Sequence, residues 1–237
     1  MDGTFVDAIV RNTNGPEIRE GRVFVPGDWK EMAPAIRSPK TLGLATLTGL
    51  RDYLDANIDA LEPASLILHV MAPDKVMLRG PLGEPEQDYT RPGYLLADVP
   101  GTTFTFGQYQ DAETFTIGLM SKFVSSEERN NLIALIASIR ESDVRETLDD
   151  GVGQEVKTAR GVALVDRTKV PNPVTLAPYR TFREVAQPPS SFVLRLKTGN
   201  ERPHAALFEA DGGAWQLEAI ANVAAWLRAN TSVKVVA

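Results

Sequence analysis

The chain has 237 residues, of which 43% are hydrophobic and 24% charged, values ordinary for a globular protein with a sizeable core. It has no cysteine, which excludes disulfides, thiolate catalysis and cysteine-ligated metal sites. Its two histidines, His69 and His204, leave little material for a histidine metal cage or a catalytic triad. Since the first residues lack a basic region followed by an apolar run, and no window approaches about 18 apolar residues, we expect a cytoplasmic protein with no signal peptide and no membrane span.

The net charge of −6 is unevenly distributed along the chain. Residues 167–202 contain seven basic and two acidic residues, a net charge of +5, which leaves −11 for the rest. A basic segment on an acidic protein can bind an anion, pair with an acidic surface of another subunit, or simply be a set of solvated side chains. All three interpretations stay open at this point.

Residues 1–42 contain four prolines and several glycines without a sustained hydrophobic period, and only 21–25 has the composition of a strand. A long segment without regular structure is uncommon inside a compact domain, and this one is rich in apolar residues. We therefore expect an extended N-terminal arm that contacts a neighbouring subunit. Residues 43–237 are then one domain, which could divide near residue 140 into helix-rich and β-rich halves.

Four segments space their apolar residues as amphipathic helices do. They are 47–58, capped by Thr46 and with Ile58 in its apolar stripe; 111–123, capped by Asp111 and with Met120 on its buried face; 125–140, opened by a capping box of Ser125 and Glu128; and 215–228, with Leu217 in its stripe.

Other segments have the composition or alternation of strands. Two hairpins are predicted, 65–71 with 75–79 and 143–148 with 154–158, and further strands at 94–97, 102–106, 161–165, 191–197, 204–208 and 233–236. In 191–197, Phe192, Leu194 and Leu196 face one side of the sheet, while Val193, Arg195 and Lys197 face the other. The pattern predicts an α+β fold with mixed or antiparallel sheets, about four helices and a β-rich C-terminal half.

One carboxylate pair, Asp149 and Asp150, could hold Mg²⁺ or divide the roles of acid and base. The sequence Asp-Asp-Gly is also an ordinary hairpin turn, which is the interpretation we favour. No phosphate-binding loop, nucleophile elbow or zinc motif is present. We therefore predict no catalytic residue, metal or cofactor.

The segment 170–185 is a corner rich in proline. Pro171, Pro173 and Pro178 fix φ and remove three backbone donors, so we expect a stiff structural corner that joins two sheet regions. Aromatic and cationic residues project from it and from the strand that follows, a combination suited to stacking on nucleobases and pairing with phosphates. The candidate residues for such an anion- or nucleic-acid-binding patch are Tyr179, Arg180, Arg183, Arg195 and Lys197. The alternative is that these cations form ion pairs with the acidic remainder of the protein, within or between subunits.

The passage 170–182, Val-Pro-Asn-Pro-Val-Thr-Leu-Ala-Pro-Tyr-Arg-Thr-Phe, resembles a passage in the YfdQ-like group of phage and prophage proteins. The order of the pieces from about residue 22 to residue 228 is similar as well. That group is functionally uncharacterised, so the resemblance implies a phage setting and no catalytic residues.

Three hypotheses follow. The first is a non-enzymatic phage or prophage protein that assembles as a homo-oligomer in the cytoplasm of an infected or lysogenic bacterial host. The second is a nucleic-acid or nucleotide binding protein that uses the basic patch to protect DNA or to sequester a host signal. The third is an enzyme that uses Asp149 and Asp150 with Mg²⁺.

Overall fold

The computed structural model describes residues 17–19, 22–25, 30–32, 40–83, 89–100, 104–140, 143–149, 154–159, 165–198 and 203–237. They form fifteen strands and four α-helices, an α+β fold as predicted. The strands and helices before residue 110 are β1 (Glu17–Arg19), β2 (Arg22–Val25), β3 (Lys30–Met32), β4 (Leu42–Leu44), α1 (Leu47–Ala56), β5 (Ile67–Ala72), β6 (Lys75–Arg79) and β7 (Gly93–Asp98), with a 3₁₀ turn at Pro63–Ser65. Those that follow are β8 (Gln110–Asp111), α2 (Ala112–Lys122), α3 (Glu127–Arg140), β9 (Asp143–Asp149), β10 (Gln154–Ala159), β11 (Val165–Val170), β12 (Val174–Leu176), β13 (Ser190–Thr198), β14 (Pro203–Glu209), α4 (Trp215–Asn230) and β15 (Lys234–Val236).

The strands form four sheets. A five-stranded mixed sheet has the order β15-β5-β6-β7-β4, with parallel pairing at both edges. A four-stranded antiparallel sheet has the order β12-β13-β14-β8. Two three-stranded antiparallel sheets, β1-β2-β3 and β11-β10-β9, complete the set. Among the described residues, no helix is long and apolar enough to cross a membrane.

The N-terminal segment contains more regular structure than predicted. The strand expected at 21–25 is confirmed as β2, but it pairs on both sides, with β1 and with β3. The expectation of an arm with a single strand is therefore wrong, because Glu17–Arg19 and Lys30–Met32 are strands as well. The other residues before 40 lie outside the described part of the chain.

Two hydrophobic cores lie beneath the larger sheets. In the first core, α2 and α3 pack on one face of the four-stranded sheet, around the buried rings of Phe104, Phe115, Phe123 and Phe192. In the second core, α1 and α4 pack on one face of the five-stranded sheet. Helices α2 and α3 precede residue 140, yet they pack against strands that follow residue 170. A division of the domain near residue 140 therefore does not describe how the cores form.

Helices α1 and α2 begin at their predicted caps. The hydroxyl of Thr46 accepts the N–H of Gly49 at 3.0 Å and caps α1. Helix α1 ends two residues earlier than predicted because Asn57 adopts the left-handed conformation, with φ of 41°. Ile58 is consequently exposed rather than buried. Asp111 caps α2 as predicted.

Helix α3 begins one residue later than the predicted capping box. The N–H of Arg129 donates to Ser126 Oγ at 3.1 Å, so Ser126 provides the cap. The hydroxyl of Ser125 instead accepts from the guanidinium of Arg129, at 3.0 Å. The local composition of two adjacent serines does not distinguish these registers.

Two residues assigned to buried stripes are exposed. Met120 lies about 100° around α2 from the buried Leu119, outside the arc that contacts the sheet. Leu217 lies in the first turn of α4, and burial in this helix begins at Ala219. Both predictions assumed wider buried faces than the sheets cover.

The two hairpins, the strand at 94–97 and the alternation in β13 are confirmed. The strand predicted at 102–106 is wrong for residues 104–106, which form a loop. Phe104 and Phe106 turn inwards there, and the Phe106 ring stacks on Phe192 with centroids 5.1 Å apart. Two further predictions, the turn at 150–153 and the strand start at 161–164, lie outside the described residues.

Leu217 and Leu227 of α4 test whether burial in the structure, rather than apolar spacing in the sequence, decides how much a leucine contributes to stability. Leu227 is 0% exposed and Leu217 is 76% exposed. We expect Leu227→Ala to lower the free energy of unfolding by about 2–5 kcal/mol, and Leu217→Ala to change it by about 0.5 kcal/mol or less. Urea denaturation followed by circular dichroism measures both, and equal losses in the two variants would contradict the packing of α4.

Candidate functional site

The proline corner begins at the end of β11 and includes β12. It then runs beside the connection between α2 and α3. The N–H of Val124 donates to the carbonyl of Ala177, and the N–H of Tyr179 donates to the carbonyl of Lys122, each at 2.9 Å. Pro178 is buried at this contact. The exposed Pro171 and Pro173 lie at the start of the corner, where the bond between Asn172 and Pro173 is cis.

The structure separates the five residues predicted to form a basic patch. Arg180 points into the protein, and its side chain is only 5% exposed. Its Nη1 lies 2.6 Å from Glu209 Oε1, and its Nη2 donates to the hydroxyl of Ser190. Its guanidinium carbon lies 3.8 Å from the centroid of the Trp215 ring at the start of α4. Arg180 therefore has internal partners for its charge, as the ion-pair alternative predicts.

The electrostatics of this cluster reflect its burial. Burial lowers the pKa of Arg180 below its ordinary value, while attraction to Glu209 and Asp211 opposes that shift. For Asp211, burial is the largest single effect and raises the pKa, but hydrogen bonds from Ser190 and the Gly213 N–H, with the charge of Arg180, together lower it below its ordinary value. The cluster is thus a buried guanidinium whose charge is compensated by carboxylates that lie nearer the surface.

Arg183 lies on the surface, three residues further along. Its guanidinium carbon stacks 3.4 Å from the centroid of the Tyr179 ring. The adjacent carboxylate, Glu184, accepts the N–H of Thr48 at 3.0 Å, in the first turn of α1. A carboxylate is favourable at a helix N-terminus, so Glu184 anchors the segment to the second core. No local signal in the sequence links residues 48 and 184.

Arg195 and Lys197 lie together on the face of the four-stranded sheet that points away from α2 and α3. In register with them on β14 are Ala206 and His204. Lys197 Nζ lies 5.8 Å from the centroid of the Tyr109 ring. The Tyr109 and Phe208 rings lie 6.4 Å apart at an angle of 71°. We call Tyr109, Arg195, Lys197 and Phe208 the basic aromatic face.

Both rings of this face are exposed, as is Lys197. Tyr109 is 43% exposed and Phe208 is 37% exposed. Sequence reasoning missed both as site residues. Alternation along β14 could have placed Phe208 on the same side as His204 and Ala206. Tyr109 precedes a strand of only two residues, which has no periodicity to detect.

The five-stranded sheet also has a face that points away from its helices. Its central residues lie in register across all five strands, and we call them the cross-sheet row: Val236, His69, Met77, Leu96 and Gly43. These positions alternate with the residues of the second core, and their side chains are half-buried or exposed. Charged residues lie on both sides of the row: Arg79 and Lys234 on one, and the ion pair of Lys75 with Asp98, at 3.4 Å, on the other.

The candidate carboxylate pair is only partly described. Asp149 is the last residue of β9 and pairs with Gln154, the first residue of β10. Asp150 lies outside the described residues, between these strands. Within the described ranges, no group of three or more His, Asp or Glu side chains could hold a metal ion.

No protein-family model matches the chain, and no match was found among curated proteins or solved structures. The resemblance to the YfdQ-like phage and prophage proteins therefore stays a prediction.

Arg180 and Arg183 form a matched pair for testing the buried cluster. Arg180→Ala leaves Glu209 and Ser190 without their donor, so we expect the free energy of unfolding to fall by about 1.5–3 kcal/mol, the range for hydrogen bonds to charged groups. Arg183→Ala removes an exposed cation, and we expect a change of about 0.5 kcal/mol or less. Guanidinium denaturation compares them. An Arg180→Ala variant as stable as the parent protein would refute the structural assignment of Arg180.

Proposed function

We propose that this chain is a non-enzymatic protein that self-assembles, and that the cross-sheet row forms the centre of the contact between copies. The observation that carries the proposal is the apolar character of a sheet face turned away from the helices. A sheet with one solvated face normally alternates between apolar residues inside and polar residues outside. Here Met77 and Leu96 occupy outward positions at the centre of the sheet.

The composition of this face supports a contact between proteins. Interfaces between subunits combine an apolar centre, in which methionine and aromatic residues are common, with a polar or charged rim. The cross-sheet row supplies the apolar centre, and the charged residues beside it supply the rim. Two such faces would pack about 10 Å apart, as stacked sheets do. A two-fold axis through the face would bring the same residues of both copies together.

The edges of the five-stranded sheet are less suitable for assembly than its face. Both edge strands, β4 and β15, are three residues long. Short edge strands offer few backbone groups to a further strand, which protects a sheet against edge-to-edge pairing. We therefore propose assembly through the face rather than by strand addition.

A charge at the centre of the row tests this proposal. Met77→Lys and Leu96→Lys would each bury a lysine between apolar surfaces, at a cost of several kcal/mol, and each 1.4 kcal/mol weakens association about tenfold. We expect the parent protein to have a native mass that is a multiple of 25.9 kDa and these variants to be monomers of 25.9 kDa. Sedimentation velocity or mass photometry measures the mass.

The matched control is Ile117→Lys, on the exposed side of α2. It adds the same charge away from the row and should leave the native mass unchanged. Circular dichroism should confirm that all three variants are folded. A monomeric parent protein would refute self-assembly, whereas a parent oligomer that persists in folded Met77→Lys would refute the cross-sheet row as its contact.

The predicted contact of the arm with a neighbouring subunit is tested separately. A chain that begins at residue 40 retains β4 and both cores. If the arm crosses between subunits, this chain should dissociate to monomers. If the truncated chain forms an oligomer with the same number of subunits as the parent protein, the arm is not part of the contact.

We also propose that the protein acts in the cytoplasm of an infected or lysogenic bacterium. This setting rests on the resemblance of the proline corner to the YfdQ-like phage and prophage proteins. A gene located outside any phage or prophage would contradict it.

A further inference from the structure

We infer that the basic aromatic face binds single-stranded nucleic acid, with bases stacking on the exposed rings and phosphates meeting the ammonium of Lys197. This inference does not depend on self-assembly, because the basic aromatic face and the cross-sheet row belong to different sheets. It also revises the predicted basic patch. Arg195 and Lys197 stay on this face, and Tyr109 and Phe208 join them. Arg180 leaves the site, as do Arg183 and Tyr179, which stack on each other elsewhere.

The two rings are placed to receive bases. Exposed aromatic residues can stack on bases without regard to sequence, since every base has a π face. Tyr109 and Phe208 are both exposed enough to do so. Gly107 lies beside Phe208, with φ of 70°, and an added Cβ would lie 3.9 Å from the Phe208 ring.

The cations of this face differ in exposure. Lys197 is exposed, and its ammonium lies above the Tyr109 ring, where it would meet a phosphate next to a base stacked on the neighbouring ring. Arg195 lies two residues along the same strand on the same face, but it is half-buried and its Nη1 is buried, so Lys197 is the cation that meets a phosphate. The carboxylate in register with His204 is Asp111, and it accepts the N–H groups of Glu113 and Thr114 at the start of α2. The helix N-terminus offsets that negative charge.

The arrangement of the rings favours single strands over duplexes. A duplex covers the faces of its bases, whereas a single strand can present them to protein rings. The two ring centroids are 6.4 Å apart, nearly twice the rise of about 3.4 Å between stacked nucleotides, and the rings are inclined at 71°. Two bases stacked directly on each other would not fit both rings. Bases splayed apart on an extended strand would.

Fluorescence anisotropy of labelled oligothymidylate tests the inference on the full chain. A probe of about 20 nucleotides exceeds the roughly 4–16 nucleotides that one such surface covers. We expect binding at about 50 mM salt that weakens as salt rises, and weaker binding to a duplex of the same length. No binding at about 100 µM protein, the weak end of non-specific affinity, would overturn the inference. Equal binding of the duplex would overturn the assignment to single strands.

Variants locate the site. Phe208→Leu and Tyr109→Leu keep apolar volume but remove the π face, and each should raise Kd about fivefold or more, the low end for one base stack. Lys197→Ala should reduce the slope of log affinity against log salt by about 0.7, the loss of one phosphate contact on a single strand. Circular dichroism should show that each variant is folded.

Two controls match these changes in chemistry but not in place. Arg228→Ala removes an exposed cation from α4, and Tyr89→Leu removes an exposed ring between β6 and β7. Both should bind as the parent chain does. If Arg228→Ala changes the salt slope as much as Lys197→Ala, the binding is not confined to this face, and the inference fails. Inorganic polyphosphate has no bases. If it competes as strongly as oligothymidylate does, and if Phe208→Leu leaves Kd unchanged, base stacking is refuted as well.

Discussion

Residues 180–187 carry the chain from the first hydrophobic core to the second, and the side chain of Gln187 holds this crossing in place. Its Oε1 accepts the N–H groups of Arg180 and Thr181, at 3.0 and 3.2 Å. Its Nε2 donates to the carbonyls of Phe182 and Val185, at 2.9 and 3.2 Å. A segment that leaves one sheet for another has no ladder to satisfy its backbone, and unpaired buried groups are costly. One amide satisfies four such groups and thereby allows the chain to turn from the first core to the second.

Once the crossing is made, contacts at its far end attach it to the second core. Phe182 is fully buried there, and the hydroxyl of Thr181 donates to the carbonyl of Pro73 in the β5-β6 turn. Glu184 meets the N-terminus of α1. The two cores are therefore joined by a short and well-bonded segment, while each large sheet keeps its own pair of helices on one face. That arrangement turns the opposite faces outwards. The proline corner is the start of this crossing, and its role in the fold is independent of any ligand.

Sequence patterns identified what depends on near neighbours. The caps at Thr46 and Asp111, the two hairpins and the alternation along β13 all involve contacts within a few residues or a regular period. The places where prediction failed depend on distant partners. The residues next to Arg180 in the sequence are typical of a protein surface. The residues that accommodate its guanidinium, Glu209 and Trp215, come about thirty residues later. Likewise, nothing near residue 109 indicates that its ring will lie beside Phe208. Long-range pairing decides which cations are buried and which aromatic rings are exposed, and periodicity carries no information about it.

The distribution of charge also has a different meaning after folding. A net charge of +5 along residues 167–202 is a property of the chain, not of a surface. Arg180 contributes to that sum, yet its buried guanidinium is paired with the carboxylate of Glu209 at the surface. The cations that define the basic aromatic face are Arg195 and Lys197, so a local field from this segment is smaller than its composition indicates. The acidic remainder of the protein opposes an anionic ligand mainly at long range. At about 0.1 M salt the Debye length is about 10 Å, so exposed charges further away than this are largely screened. Contacts made directly on the face, through stacking and one or two phosphates, therefore decide whether a single strand binds, and the overall acidity of the chain chiefly slows its approach.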